Sequence, residues 1–205
     1  MIYVIDDDEA VRSSVQALLM AHRLSAQCYA GVREFLNEVA LDQPGCVITD
    51  VAMPDISGLE LVSSLKAARS ALAVVVVTGV ADVPMAVRLM EYGALTLLQK
   101  PYVAEDLLAA VRRGLAISHE QAELTRRQQD LQQKLALLSE EERGVMECML
   151  ADKPNKAIAA ELSISLRTVD RRRQTVLEKL AVESIPEMAI LIGSAQLAGR
   201  SPVRS

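Results

Sequence analysis

The sequence predicts an α/β fold built on a parallel sheet, followed by a smaller all-α unit, with a long helix between them. Three observations carry that reading. Over the first 117 residues, five short apolar runs alternate with five segments of helical period. Over residues 118–138 glycine and proline disappear and leucine recurs every seven positions. From residue 139 the segments are helical in pattern.

The strand-like segments are Ile2–Ile5, Ala26–Tyr29, Cys46–Thr49, Ala73–Val77 and Ala94–Leu98. Each is short, apolar and rich in β-branched residues, the pattern of strands covered on both faces. Helix-period segments lie near 9–22, 31–40, 57–68, 83–92 and 103–117. Strict alternation predicts a doubly wound parallel sheet with right-handed crossovers, in the flavodoxin-like strand order.

Residues 118–138, SHEQAELTRRQQDLQQKLALL, read as a continuous helix with a partly polar seam of Leu124, Gln128, Leu131, Leu135 and Leu138. That seam is either a solvated connector or a short dimeric contact. Ser139 with Glu142 forms a capping box at the start of the next helix. DKPN at 152–155 is a turn, with Asn155 a candidate helix cap. A short helix, a second turn at SIS and a longer helix RTVDRRRQTVLEKL follow. Leu162, Ile164, Val169, Val176, Leu177 and Leu180 have core spacing. A last helix follows Pro186, with Met188, Leu191, Ile192 and Ala195 on one face; that face either packs on its own module or meets a second copy. The tail 198–205 is expected to be disordered. The expected domains are therefore 1–117, a linker at 118–138, a helical module at 139–197 and the tail.

Composition narrows the function. The net charge is −5, with 14 acidic and 9 basic side chains in residues 1–117 and 10 of each in 139–205. Nucleic-acid binding must therefore rest on a local basic cluster. No apolar run reaches membrane-spanning length, and the first residues lack the basic region of a signal peptide. Three cysteines in apolar contexts and two isolated histidines, His22 and His119, make neither a disulfide framework nor a zinc set. A reducing cytoplasm is the expected compartment.

The polar groups at the strand ends carry the chemistry. Asp6, Asp7 and Asp8 follow the first strand, Asp50 the third, Thr78 the fourth and Lys100 the fifth. In a parallel sheet these ends share one edge, where ligands bind. Carboxylates gathered there repel one another unless a cation joins them, and Mg²⁺ takes hard oxygen ligands. Asp6 or Asp7 with Asp50, and a backbone carbonyl near Ala52, are the candidate ligands. Asp50 is then a nucleophile toward phosphorus. Lys100 supplies a fixed positive charge and Thr78 a hydroxyl donor.

VIDDDEAVR, VITDVAMPDISGLELV, VVVTGVADVPMAV and LLQKPY resemble the receiver domain of response regulators. The resemblance covers residues 1–117. It implies Asp50 as phosphoacceptor, Asp6 and Asp7 as metal-binding acids, Thr78 and Lys100 as the phosphate-sensing pair, and a cis peptide at Pro101. It also implies Mg²⁺ as cofactor, with Mn²⁺ able to substitute, and a sensor histidine kinase as donor. Such a chain is no enzyme beyond its own phosphorylation and dephosphorylation. This sequence departs from the pattern at Leu97, where an aromatic residue is usual. Ala52 and Val80 occupy positions that often tune phosphate lifetime; neither can position a water, so a longer-lived phosphoryl group is expected.

The helix over 167–180 carries Arg167, Arg171, Arg172, Arg173 and Lys179 against Asp170 and Glu178, a basic excess on one element. LSEEER, PNKAIAAELSIS and RTV resemble the LuxR-type helix-turn-helix of the FixJ/NarL response regulators. That resemblance implies a phosphorylation-controlled transcription regulator that dimerises, binds double-stranded DNA and meets RNA polymerase, with no membrane partner. Asp170, Arg171 and Gln174 share a face expected to meet base edges, with Arg171 on guanine. Lys156, Arg167 and Thr168 are expected on phosphates, with Arg172 and Arg173 beside them. Arg171 stands where the family has an aliphatic residue, so the operator is expected to differ. The competing readings are an interaction module without an operator and an aspartate-nucleophile phosphatase. The phosphatase needs a second acid two residues after Asp50, where Ala52 stands.

Overall fold

The computed structural model describes residues 1–80 and 82–198, residues 194–198 by backbone alone. The element order is β1 (Ile2–Ile5), α1 (Glu9–Ala21), β2 (Ala26–Tyr29), α2 (Val32–Glu38), β3 (Cys46–Asp50), α3 (Gly58–Ala67), β4 (Ala73–Thr78), α4 (Val83–Glu91), β5 (Thr96–Gln99) and α5 (Ala104–Ala136). Four helices follow: α6 (Glu140–Leu150), α7 (Asn155–Glu161), α8 (Leu166–Leu180) and α9 (Ile185–Ala198). The strands form one parallel sheet in the order β2-β1-β3-β4-β5, the α/β architecture the sequence predicts.

The pleat explains why the strands are apolar throughout. Side chains alternate between the two faces, and both faces are covered. Tyr3, Ile5, Val47, Val74 and Val76 pack on α2, α3 and α4 through Phe35, Leu61 and Leu89. Ile2, Val4, Ile48, Val75 and Val77 pack on α1 and α5 through Val15, Leu19, Leu107 and Val111. Tyr3, Tyr29 and Phe35 form the aromatic corner of the first layer, at ring-centroid separations of 5.4–6.3 Å.

Several boundaries differ from the sequence expectation. β3 and β4 each run one residue further, because Asp50 pairs with Val77 and Thr78 with Gln99. β5 begins at Thr96 rather than Ala94, whose N–H is still used to close α4 on Leu89. The fifth helix does not stop at 117: α5 continues through the expected linker to Ala136. By internal contacts the chain divides at Glu123/Leu124, inside that helix. Ser118 still belongs to the first unit, where its buried hydroxyl accepts the Gly45 N–H at 2.7 Å.

In the second unit Leu138, Val145, Met149, Ile158, Val169, Val176, Leu180 and Met188 form the core. The capping box at Ser139 and Glu142 is present. Leu162 to Ser165 turns the chain between α7 and α8, with Ser163 in the left-handed region at φ 53°. Two expectations change here and one open alternative is decided. Asn155 is not the cap of α7: Pro154 occupies that position and Asn155 is the first helical residue. The C-terminal half of the heptad seam is taken up within the chain, since Leu135 and Leu138 pack in this core. The α9 face is its own module's packing: Met188 is fully buried and Leu191 and Ile192 pack beside it, while Ala195's side chain falls outside the described residues. The predicted tail lies there too, except Ala198, which ends α9.

Met188→Ala should accordingly lower the stability of the helical unit by about 2–5 kcal/mol, read as a shift in its urea midpoint. Ile190, 71% exposed on the same helix, should change it by less than about 0.5 kcal/mol on truncation. Equal shifts would contradict this assignment of faces. Among the described residues no helix is long and apolar enough to cross a membrane.

Candidate functional site: the strand-end acids and the α8 face

The first site is assembled by strand ends. β1 delivers Asp6, whose N–H is held by the Tyr29 carbonyl at 3.3 Å. β3 delivers Asp50 as its last paired residue. β5 leads to Lys100, whose N–H donates to the Thr78 carbonyl at 2.8 Å, and the following peptide to Pro101 is cis. The Lys100 ammonium donates to Asp50 Oδ2 at 2.7 Å and to Asp6 Oδ2 at 3.1 Å. The other oxygens are also used: Asp6 Oδ1 accepts the Asp8 N–H at 2.9 Å and Asp50 Oδ1 the Ala52 N–H at 3.1 Å. Asp6 is 4% exposed, so its charge needs this pairing.

The electrostatics follow. Burial works to lower the Lys100 pKa, but hydrogen bonds to Asp50 and Asp6 and their charges outweigh it, and the net shift is upward. A lysine whose pKa rises on folding stabilises the fold fully below its unfolded value, about 10.4, and loses that contribution only at higher pH. The pairing is thus intact throughout the neutral range. Tyr102 lies close enough to feel both charges; its pKa is raised by burial first, with Lys100 opposing and Asp6 adding.

Not every expected residue joins the cluster. Asp7 is exposed, and Asp8 caps α1 by accepting the Ala10 N–H. Among the described residues no three His, Cys, Asp or Glu side chains are gathered; the gathered acids are the pair Asp6 and Asp50, and Mg²⁺ is commonly held by one or two carboxylates with water. Thr78 is buried, but its hydroxyl donates to the Val80 carbonyl at 3.1 Å and reaches neither Asp50 nor Lys100. Leu97 packs against the first core layer.

Two supporting residues escape a reading by motif. Arg12 Nη1 donates to the carbonyls of Asp6 at 2.7 Å and Asp7 at 3.1 Å, fixing the acidic turn from one turn along α1. Gly58 opens α3 so close to the Asp50 carbonyl oxygen that a Cβ there would lie 2.2 Å from it. The signal for Gly58 was a glycine directly after the cap Ser57; the signal for Arg12 was a lone base after a run of acids.

The second site is the exposed face of α8. Its buried side is Val169, Val176 and Leu180. Arg167, Asp170, Arg171 and Gln174 are exposed, and Lys156 is exposed on α7. Arg172 and Arg173 are half-buried, and Arg172 lies 3.8 Å from Glu141 of α6. Thr168 is tied to the cap Ser165 by a 2.9 Å hydroxyl contact. Asp170 Oδ1 accepts the Asn155 amide at 2.6 Å, and Gln174 donates to Glu178 at 3.1 Å. Lys179 is committed to Glu142 at 2.6 Å and to the Leu137 carbonyl; it braces α6 against α8. The sequence did not reveal the Asn155 pairing, because its partner lies 15 residues away.

Residues 2–112 match the response regulator receiver domain and residues 136–192 the bacterial regulatory proteins of the luxR family. The transcriptional regulatory protein FixJ of Azorhizobium caulinodans is 43% identical over 98% of this chain and 94% of its own. The response regulator protein TodT of Pseudomonas putida is 35% identical over 92% of this chain and 83% of its own. The solved structure of response regulator StyR superimposes with a TM-score of 0.87 at 32% identity, covering 94% of this chain and 97% of that one. With both models matched in order and relatives that run nearly end to end, the chain belongs to the response regulators that join a receiver domain to a luxR-family DNA-binding domain, and it is a phosphorylation-controlled regulator of transcription.

Proposed function

We propose that Asp50 accepts a phosphoryl group from a sensor histidine kinase and that the resulting acyl phosphate promotes DNA binding through α8. The observation that carries this is the single ammonium of Lys100 held between Asp6 and Asp50. A carboxylate with an adjacent acid and an adjacent cation is equipped to attack phosphorus and then to have its product charge neutralised. One Asp50 oxygen bonds to phosphorus as the phosphorus–nitrogen bond of a phosphohistidine breaks. The departing imidazole takes a proton from solvent.

Asp6 and Asp50 supply the hard oxygen donors that Mg²⁺ prefers, with Asp7, the Ala52 carbonyl and water available to complete its shell. The bound cation would neutralise the phosphoryl oxygens during transfer. The chain's own residues then rearrange. Phosphorylation brings up to about two negative charges. Lys100 leaves the carboxylates for the phosphate, and the Thr78 hydroxyl leaves Val80 to donate to it. Both movements pull on the segments after β4 and β5. The α4 side nearby exposes Val83, Val87 and Met90 at helical spacing, an apolar stripe that a second copy would cover on activation. Beyond this self-directed transfer and its hydrolysis the chain catalyses nothing.

On the α8 side, Asp170, Arg171 and Gln174 meet base edges and Lys156 and Arg167 meet phosphates. Arg172 and Arg173 flank them. Two such modules read half-sites about one helical turn apart, from which a regulator acts on RNA polymerase.

The test is fluorescence anisotropy on duplexes recovered by selection from a random library. Treatment with acetyl phosphate and Mg²⁺ should tighten binding, and the affinity should fall steeply as salt rises. An affinity indifferent to phosphorylation, or flat with salt, would overturn the reading.

A further inference from the structure

We infer that Asn155, at the start of α7, is a positioning residue that fixes Asp170 as a hydrogen-bond acceptor and so sets a base preference for cytosine. The inference rests on the proposed reading of DNA by α8. Asp170 is an odd residue to aim at a polyanion, because a free carboxylate on that face is repelled by phosphates and can rotate away. Here it is not free. Asn155 Nδ2 donates to Asp170 Oδ1 at 2.6 Å, while Oδ2 takes no hydrogen bond among the described residues. No lysine or arginine of the described residues forms an ion pair with it.

The choice of partner matters. An amide orients the carboxylate without neutralising it, so the second oxygen keeps its full strength as an acceptor. In the major groove the amino group of cytosine is the donor an acidic side chain pairs with. The Asn155 amide comes from a different helix, one held against α8 by the core residues Ile158 and Val169. Asp170 is thus braced from outside its own helix, as a base-reading group must be to discriminate. The neighbouring Gln174 has no such brace: its amide is turned along α8 to Glu178, and it must let go before reading adenine.

The experiment uses the full chain treated with acetyl phosphate, and duplexes selected from a random library. First the position whose preference Asp170→Ala flattens is found. At that position a contact of this kind separates bases by roughly five- to a hundredfold. Asn155→Ala should cut that ratio by about three- to tenfold, and in the Asp170→Ala background it should leave the affinity for the selected duplex unchanged. Asn155→Asp, which sets a second carboxylate against the first, should cut it at least as much, and serves if the alanine variant does not fold. An unchanged ratio in the folded Asn155 variants overturns the inference while leaving DNA reading intact. A further loss of affinity in the Asp170→Ala background overturns it too, since Asn155 would then be merely structural. If the unaltered chain selects no sequence at all, the reading of DNA by α8 falls, and the inference with it.

Discussion

Lys100→Met is expected to destabilise the α/β unit by about 3 kcal/mol at neutral pH, the lower end of the range for breaking a buried ion pair, because a quarter of the Lys100 side chain is exposed. The variant leaves two carboxylates, Asp6 and Asp50, facing one another without the cation that joined them. Repulsion and burial then raise the pKa of one of them. An acid whose folded pKa is raised destabilises the fold only while it is charged. The deficit should therefore shrink as the pH falls from neutral toward the ordinary carboxylate range, about 4. Millimolar Mg²⁺ should shrink it as well, by replacing the lost charge. Urea midpoints at two pH values, with and without Mg²⁺, measure this. A deficit that ignores both acid and metal would mean that Lys100 contributes packing alone.

Gly58→Ala should have a comparable effect by a different route. The added methyl would sit 2.2 Å from the Asp50 carbonyl oxygen, and a backbone atom cannot turn aside as a side chain can. The Asp50 turn or the start of α3 must move, at a cost of about 3 kcal/mol. The same movement displaces the reacting carboxylate. A displacement of about 1 Å can cost roughly a hundredfold in rate, so phosphorylation by acetyl phosphate should slow by that order. The remainder of α3 is secured by the Ser57–Glu60 capping box, so helix content should persist. A variant that phosphorylates at the normal rate would show that the Asp50 turn is not held by this contact.

The two sites differ in how far the sequence disclosed them, and the reason is the range of the interactions. Asp6, Asp50, Thr78 and Lys100 each follow an apolar strand run, and a parallel sheet brings all such ends to one edge; period and topology were enough. What the strand pattern could not supply was the hydrogen-bond state of each group. Lys100 sits between the acids, and the Thr78 hydroxyl is turned to the chain two residues on. Both depend on atomic distances that no spacing encodes. Asp7 has the expected type and place, and its exposure is a further detail that the strand pattern does not encode. In the helical unit, Asn155 was legible only as a local cap after a proline. Its actual partner is on another helix, and helical period carries no information about such pairs. Met188 and its neighbours formed an apolar face whose cover, own core or second copy, depends on tertiary packing. The continuous α5 hid its domain boundary because a helix can cross one without any change in period.

The strand-end pair is proposed as a phosphoacceptor site with Asp50 as the nucleophile. Intact-mass measurement after incubation with acetyl phosphate and Mg²⁺ tests this most directly, on the unaltered chain and on Asp50→Asn. The two side chains are nearly equal in size, so the fold should be kept. The unaltered chain should gain the mass of one phosphoryl group and lose it in mild base, as an acyl phosphate does, and the Asp50→Asn variant should gain nothing. An Asp50→Asn chain that still takes up a base-labile phosphoryl group at the same rate would place the nucleophile elsewhere and contradict the account.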